Sequence, residues 1–162
     1  MKLDQNVKTV GEVCCNIKYK NGKTITWNFP NTVVQTGRQA LADALTNTLG
    51  GSGTNKIYIQ YMNFGTNGVD SGGTPKIVAP DQNSLFGTAP VVSKPVNSST
   101  DSSLPTQAIF SSTLLYDDAV GSALSCMGLM MASGNYYSIV SFPVLTKTSS
   151  MEVNFIWRIN FI

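Results

Sequence analysis

Residues 151–162 alternate between apolar and polar side chains almost without interruption. One face of this stretch carries six large apolar residues: Met151, Val153, Phe155, Trp157, Ile159 and Phe161. The other face carries four polar residues and two isoleucines: Glu152, Asn154, Ile156, Arg158, Asn160 and Ile162. Because successive side chains of a β-strand point to opposite faces, this period of two predicts a half-buried strand. An inner face this bulky needs a second apolar layer, so the strand is expected in the middle of a sandwich or barrel.

Similar alternation occurs in residues 10–19 and 23–29, on either side of Asn21-Gly22. An Asn-Gly pair between two alternating runs predicts a β-hairpin in which both turn residues take positive φ. Further strands are predicted at five places: 57–64, 89–96, 107–116, 123–132 and 136–142, where Pro143 marks the end of the last. The sequence therefore predicts a mainly β fold, an antiparallel, jelly-roll-like β-sandwich of about seven to nine strands with one short α-helix.

The helix is predicted near residues 36–49. The Thr36 hydroxyl and the Gln39 side chain have the spacing of a capping box, and Leu41 and Leu45 recur at helical spacing. Gly50-Gly51 is expected to end the helix, and the glycine-rich residues 50–55 read as a loop. We expect one domain over residues 10–162, with residues 1–9 as a flexible N-terminal arm. The long irregular stretch 65–106 suggests a functional surface or a segment ordered by a neighbour.

Low charge is the unusual feature of the composition. Only 12% of residues are Asp, Glu, Lys or Arg, against about 25% in a typical soluble domain. The surface must then be mostly neutral and polar. Three interpretations stay open: a protein that covers much of its surface in an assembly, one that works outside the cell, or simply a Ser/Thr-rich β protein. The basic residues are scattered, which argues against a nucleic-acid partner. No apolar run approaches the roughly 20 residues of a membrane span, and the first residues lack the apolar stretch of a signal peptide.

The residues that most enzymes use are missing or isolated. The chain contains no histidine, which excludes Ser-His-Asp and Cys-His catalysis. Asp117-Asp118 is typical of a solvated turn. The spacing of the three cysteines fits no zinc motif, and Cys15 and Cys126 are interpreted as small buried apolar residues. We therefore predict no enzymatic activity, no catalytic residue, no cofactor and no metal site.

Three stretches, in this order, resemble small virion proteins of tailed bacteriophages. Residues 31–45, with Asn-Thr-Val-Val-Gln-Thr-Gly-Arg-Gln-Ala-Leu-Ala, resemble the family's turn into a short helix. Residues 63–68, Asn-Phe-Gly-Thr-Asn-Gly, precede Thr74-Pro75 and Asn83-Ser84-Leu85, which is similar to the family's central loop. Residues 141–150 contain Phe142-Pro143 and Lys147 before the tryptophan strand, similar to the family's closing motif. The middle loop has fewer acidic residues than is usual there, which argues against ion binding.

The resemblance implies a non-enzymatic structural component of a bacteriophage virion, without deciding its location on the particle. Our leading hypothesis is a capsid decoration or cement protein that binds the particle by repeated symmetric contacts. Its partners would be copies of itself, in a homo-oligomer, and other virion proteins such as the major capsid or tail proteins. It would be made in the host cytoplasm and located in the virion, and no nucleic-acid or membrane partner is expected. The outward Ile156 and Ile162 are the candidate subunit contacts.

Two alternatives remain open at this point. The first is a tail, collar or fibre-attachment protein. The second is a receptor- or carbohydrate-binding module at a tail tip, which would use the loops of 65–106 and aromatic side chains. Tyr58 and Tyr136-Tyr137 could stack on a sugar, whereas Trp27 lies in an inward pattern and is expected in the core.

Overall fold

The computed structural model of the chain describes residues 9–46 and 58–161. The described residues form one helix and ten strands. In chain order these are β1 (Thr9–Tyr19), β2 (Thr24–Pro30), β3 (Thr32–Val33), α1 (Gln35–Thr46), β4 (Ile59–Gly65), β5 (Val92–Pro95), β6 (Asn97–Thr100), β7 (Gln107–Leu114), β8 (Ala123–Met131), β9 (Tyr136–Thr146) and β10 (Met151–Phe161). The predicted arm (apart from Thr9), the loop 50–55 with Gly50-Gly51, the helical positions 47–49, Ile57 and Ile162 lie outside the described residues.

The strands form two five-stranded antiparallel sheets that pack face to face. Sheet A has the order β2-β1-β10-β7-β6, and sheet B has the order β3-β9-β8-β4-β5. The predicted antiparallel sandwich with one short helix is therefore confirmed. The strand number exceeds the predicted range because residues 89–100 contain two short strands and β3 is only two residues long.

The closing strand β10 lies at the centre of sheet A, between β1 and β7. Its five inward side chains, from Met151 to Ile159, are at most 5% exposed. Phe155 packs against Phe64 of sheet B with ring centroids 4.8 Å apart, which joins the two sheets across the core. Burying each such side chain stabilises the fold by about 1.5–3 kcal/mol. The prediction made from the alternation of this strand is confirmed.

The predicted β1–β2 hairpin is present, but its turn differs from the expected one. The loop covers residues 20–23, and the Tyr19 amide donates to the Lys23 carbonyl over 2.8 Å. Gly22 has a φ of 87°, whereas Asn21 is not among the residues with positive φ. The longer loop needs only one left-handed residue, so the prediction of two was wrong.

Helix α1 begins at Gln35, one residue before the Thr36 that was predicted to cap it. The Val34 carbonyl accepts hydrogen bonds from the amides of Gly37 and Arg38, which places the helix start before Thr36. The Thr36 hydroxyl donates to the Tyr136 carbonyl of β9. The hydroxyl therefore attaches the helix to sheet B instead of capping it.

Strand β9 continues through Pro143 to Thr146, beyond the predicted end. The pairing of β8 with β9 shifts register between Leu124 and Cys126, and Pro143 falls in this irregular part. A proline is tolerated at a bulge because no ladder hydrogen bond is required of its nitrogen. The missing donor thus costs little, and the strand does not end there.

Residues 66–91, between β4 and β5, cover the outer face of sheet B. Leu85 is fully buried there, and it forms a second apolar cluster with Val34, Cys126, Tyr136 and Ile139. The segment is tied down by hydrogen bonds as well: the Gly68 amide donates to the Ser125 hydroxyl over 2.9 Å. Most of the irregular stretch is thus part of the packed domain.

Candidate functional site

Each sheet has one face in the core between the sheets and one outer face. On the outer face of sheet B, residues 66–91 form a second apolar cluster, whereas no described segment packs in this way on the outer face of sheet A. It is formed by the side chains of the five strands that alternate with the core residues. Apart from the buried Gln107, these side chains are half-exposed or exposed. Ile156 lies at the centre of the face, with Cys14 of β1 on one side and Ser111 of β7 on the other. The predicted outward position of Ile156 is therefore confirmed, and its contact with a subunit stays a prediction.

Uncharged polar groups dominate this face and bond to one another between strands. The Thr26 hydroxyl donates to the Asn16 amide oxygen over 2.9 Å. The Asn154 amide nitrogen donates to the Thr113 hydroxyl over 2.8 Å. These bonds hold the short side chains flat against the sheet, because each pair is linked across neighbouring strands. These bonds consequently fix the side chains of a surface that is mostly polar and uncharged.

Four charged residues lie on this face at two levels, where a level is a set of residues directly opposite one another on neighbouring strands. At each level the two charged residues have opposite signs. Glu12 of β1 lies opposite Arg158 of β10, and Lys18 of β1 lies opposite Glu152 of β10. The ion pair found among the described residues lies elsewhere, between Lys94 and Asp118 at 2.6 Å. The four charges on the face sum to zero, so the surface has no net charge to repel a partner.

The aromatic residues considered for sugar stacking are mostly inaccessible. Tyr136 and Tyr137 are only 7% and 5% exposed. The Tyr136 hydroxyl accepts a hydrogen bond from the Asn63 amide over 3.0 Å, and burial raises the pKa of Tyr137 to about 12. Trp27 packs against the core as predicted, whereas Tyr58 is 58% exposed. A stacking surface built on the tyrosine pair is therefore ruled out by burial.

Lys147 is an unexpected feature of the interior. Its side chain is fully buried, and its ammonium donates to three backbone carbonyls, those of Tyr116, Thr148 and Met151, at 3.3, 3.1 and 2.8 Å. Burial lowers the pKa of Lys147, against the opposing effect of Asp118 and other acidic groups. Since all three partners are backbone carbonyls, the lysine joins the turn after β7 to the start of β10. These contacts give Lys147 a role in stabilising the fold.

The cysteines are placed as predicted. Cys15 and Cys126 are buried, whereas Cys14 is partly accessible on the outer face of sheet A. Burial raises the pKa of Cys15 to about 12 and that of Cys126 to about 11. Among the described residues there is no cluster of acidic residues and cysteines that could hold a metal ion.

Two of the cavities formed by the described residues open onto the surface. One, of about 260 Å³, lies between the sheets and is lined by apolar residues that include Leu41, Phe110 and Ile159. The other, of about 350 Å³, lies beside β9 and includes Ile77, which is 94% exposed. Among the described residues that line them there is no charged side chain, so this part of the lining offers no group for acid–base chemistry.

Sequence reasoning did not find the charge arrangement on sheet A or the burial of Lys147. The charges become neighbours only through the pairing of β1 with β10, which lie at opposite ends of the described chain. The sequence signal that could have drawn attention to Lys147 was its position in the closing motif, residues 141–150.

Comparison with known proteins finds no match: no protein family, no curated protein and no solved structure corresponds to this chain. In the described part of the chain, no helix is both long and apolar enough to cross a membrane.

Proposed function

We propose that this chain is a structural component of a bacteriophage virion, a capsid decoration or cement protein that contacts a neighbouring subunit through the outer face of sheet A. The observation that carries the proposal is the difference between the two sheets. The outer face of sheet B is occupied by residues 66–91 around the buried Leu85, whereas no described segment covers the outer face of sheet A in this way. The three sequence stretches that resemble phage virion proteins, in the same order, support a location in the phage particle.

The chemistry of the face suits a modest contact that is repeated many times. Interface cores are depleted in charge, and this face has only four charged residues, in two pairs of opposite sign. Each contact can be weak, because many copies on one particle add their contributions through avidity. Ile156 is the central apolar group, and the residues that contribute most to binding cluster near the centre of an interface. We therefore assign Ile156 as the main subunit contact.

The test is a binding assay with phage shells that lack the protein. Ile156→Asp is expected to reduce co-sedimentation with the shells at least roughly tenfold, because it would bury an unpaired charge where neighbouring subunits meet and so remove the avidity of adjacent copies. Ile77→Asp is the matched control, since Ile77 is 94% exposed beside sheet B. Both variants should retain the wild-type unfolding temperature within a few degrees, because neither isoleucine belongs to the core. Equal binding by the two variants would contradict the assignment of this face.

A tail, collar or fibre-attachment role is the alternative location on the particle, and co-sedimentation with isolated tails, measured beside the shells, separates the two. A carbohydrate-binding role has less support, since Tyr136 and Tyr137 are buried and Tyr58 alone of the three is well exposed. A glycan array tests that alternative directly.

A further inference from the structure

We propose that the partner of the outer face of sheet A is a second copy of the same chain, packed face to face about a two-fold axis that runs parallel to the strands, between β1 and β10. This inference rests on the proposed function for its biological setting, and it adds the identity of the neighbour and the geometry of the contact. A two-fold interface must be complementary to itself, so the residues on the face can be tested against the symmetry one by one.

The four charges satisfy this symmetry. The axis exchanges the positions of β1 and β10 at each level of the face, because the two strands are adjacent. Lys18 of one copy then faces Glu152 of the other, and Glu12 faces Arg158. Each of the four charges therefore meets one of opposite sign, and the pattern occurs twice in the dimer. Charge complementarity of this kind fixes the register of an interface.

The neutral residues between the charges match in the same way. Ile156 of one copy faces Cys14 of the other, so the apolar groups at the centre meet each other. Asn16 faces Asn154, and amide groups can both donate and accept hydrogen bonds.

The flanking strands extend this complementarity, because the axis also exchanges β2 and β7. Pro30 is the β2 residue at the level of Glu12, and Ile109 is the β7 residue at the level of Arg158. These two apolar residues therefore face each other. At the level of Asn16 and Asn154, Thr26 faces Thr113 in the same way.

A two-fold axis perpendicular to the strands is less suitable. It would also join opposite charges, because Lys18 would face Glu12 and Arg158 would face Glu152. However, it would place the apolar Ile156 against Asn154 and Cys14 against Asn16. The axis parallel to the strands is favoured since it pairs the two central apolar groups, Ile156 and Cys14, with each other.

The size of the face is sufficient for a dimer. Four strands spaced about 4.8 Å apart, with lengths of roughly 30 Å, give an area of roughly 600 Å² per copy. This lies at the lower end of the range for specific interfaces, roughly 600–1,000 Å² per partner. Stacked sheets with nearly aligned strands are a common packing arrangement.

The experiment is analytical ultracentrifugation of the purified full-length protein over a range of concentrations. The wild type is expected to dimerise. Arg158→Glu should raise the dissociation constant at least roughly tenfold, because it places two carboxylates against each other twice in the dimer. The double variant Glu12→Arg with Arg158→Glu restores opposite charges across the proposed axis and should return the constant to near the wild-type value. Arg38→Glu, on an exposed position of α1, is the matched control and should dimerise like the wild type.

Three results would overturn the proposal: a wild type that stays monomeric at all concentrations, an Arg158→Glu variant that dimerises normally, or a double variant that does not recover. The last is the result that the perpendicular axis predicts, because the double exchange would then put Lys18 against an arginine. Circular dichroism of each variant shows whether the chain is folded, so loss of the dimer is separated from loss of structure.

Cross-linking at Cys14 gives a second measurement on the unmodified protein. The proposed packing puts the two Cys14 Cα atoms about 11 Å apart, from a sheet separation of about 10 Å and a strand spacing of about 4.8 Å. Cys15 and Cys126 are buried, so a short bismaleimide should join the chains through Cys14. A linked dimer that disappears in Cys14→Ala supports the proposal, and a linked dimer that persists there contradicts it. Because no particle is present in these assays, failure to dimerise is distinct from failure of dimers to bind shells, which would count against the proposed function alone.

Discussion

Replacing Leu85 by alanine tests whether residues 66–91 are a packed part of the domain. Leu85 is fully buried in the second apolar cluster, on the outer face of sheet B. Its side chain lies close to two glycines: a Cβ atom built at Gly65 would be 3.4 Å from Leu85 Cδ1, and one at Gly128 would be 3.2 Å from Cδ2. The leucine therefore packs directly against the backbone of β4 and β8.

The expected cost of Leu85→Ala is about 4 kcal/mol in the free energy of unfolding. Removing three buried carbon groups accounts for about 2.4 kcal/mol, at about 0.8 kcal/mol each. The remaining cost comes from the cavity, which the rigid strands behind Gly65 and Gly128 cannot close, and leucine-to-alanine changes of this kind cost about 2.7–5 kcal/mol.

The assay is guanidinium unfolding combined with amide hydrogen exchange. Leu104→Ala is the matched control, because Leu104 is 52% exposed, and its cost should be below about 0.5 kcal/mol. Hydrogen exchange at the Gly68 amide, which bonds to Ser125, shows whether the segment detaches before the sheets unfold. If Leu85→Ala costs no more than the control and exchange at Gly68 is unchanged, the packing of residues 66–91 described above is refuted.

Two further predictions concern buried ionisable groups. Lys147→Met should lower the free energy of unfolding by about 2–4 kcal/mol in denaturant titrations, because the carbonyls that accept from Lys147 lose their donor. Lys23→Met, at an exposed position, is the control and should leave the free energy of unfolding nearly unchanged. Equal effects of the two variants would contradict the role of Lys147. Stability should also fall as the pH rises above 9, because Cys15 and Cys126 stay protonated when folded but ionise when unfolded. Each thiol contributes up to about 1.4 kcal/mol per pH unit, and the two outweigh the opposite contribution of Lys147, whose pKa is lowered. Unfolding titrations in reductant at pH 8 and 10 measure this, and a constant or rising free energy would show that the thiols are not buried as described.

The sequence predicted those elements in which local pattern and tertiary environment agree. The alternation of residues 151–161 matches a strand with one face in the core, and the structure has that strand at the centre of sheet A. The hairpin between β1 and β2 was predicted for the same reason. Its turn type was not, because a four-residue loop satisfies the same Asn-Gly pair with a single left-handed residue.

Other elements had no local signal. Strand β6 (Asn97–Thr100) is exposed along its whole length, so it shows no alternation and was predicted only as part of the irregular stretch 65–106. Leu85 and Phe86 lie in an otherwise polar stretch, residues 81–88, and the burial of Leu85 depends on the distant strands that it covers. The same holds for the candidate interface. The outward position of Ile156 followed from its own strand, whereas its neighbours Cys14 and Ser111 come from strands far away in the chain.

The central claim is that the outer face of sheet A contacts a neighbouring subunit of a virion. An electron cryo-microscopy reconstruction of the particle that carries this protein tests it most directly. We predict symmetric copies of the sandwich on the particle, with Ile156 buried against another subunit and the outer face of sheet A covered. A reconstruction in which that face is open to solvent in every copy, or in which the protein is absent from the particle, would contradict the claim.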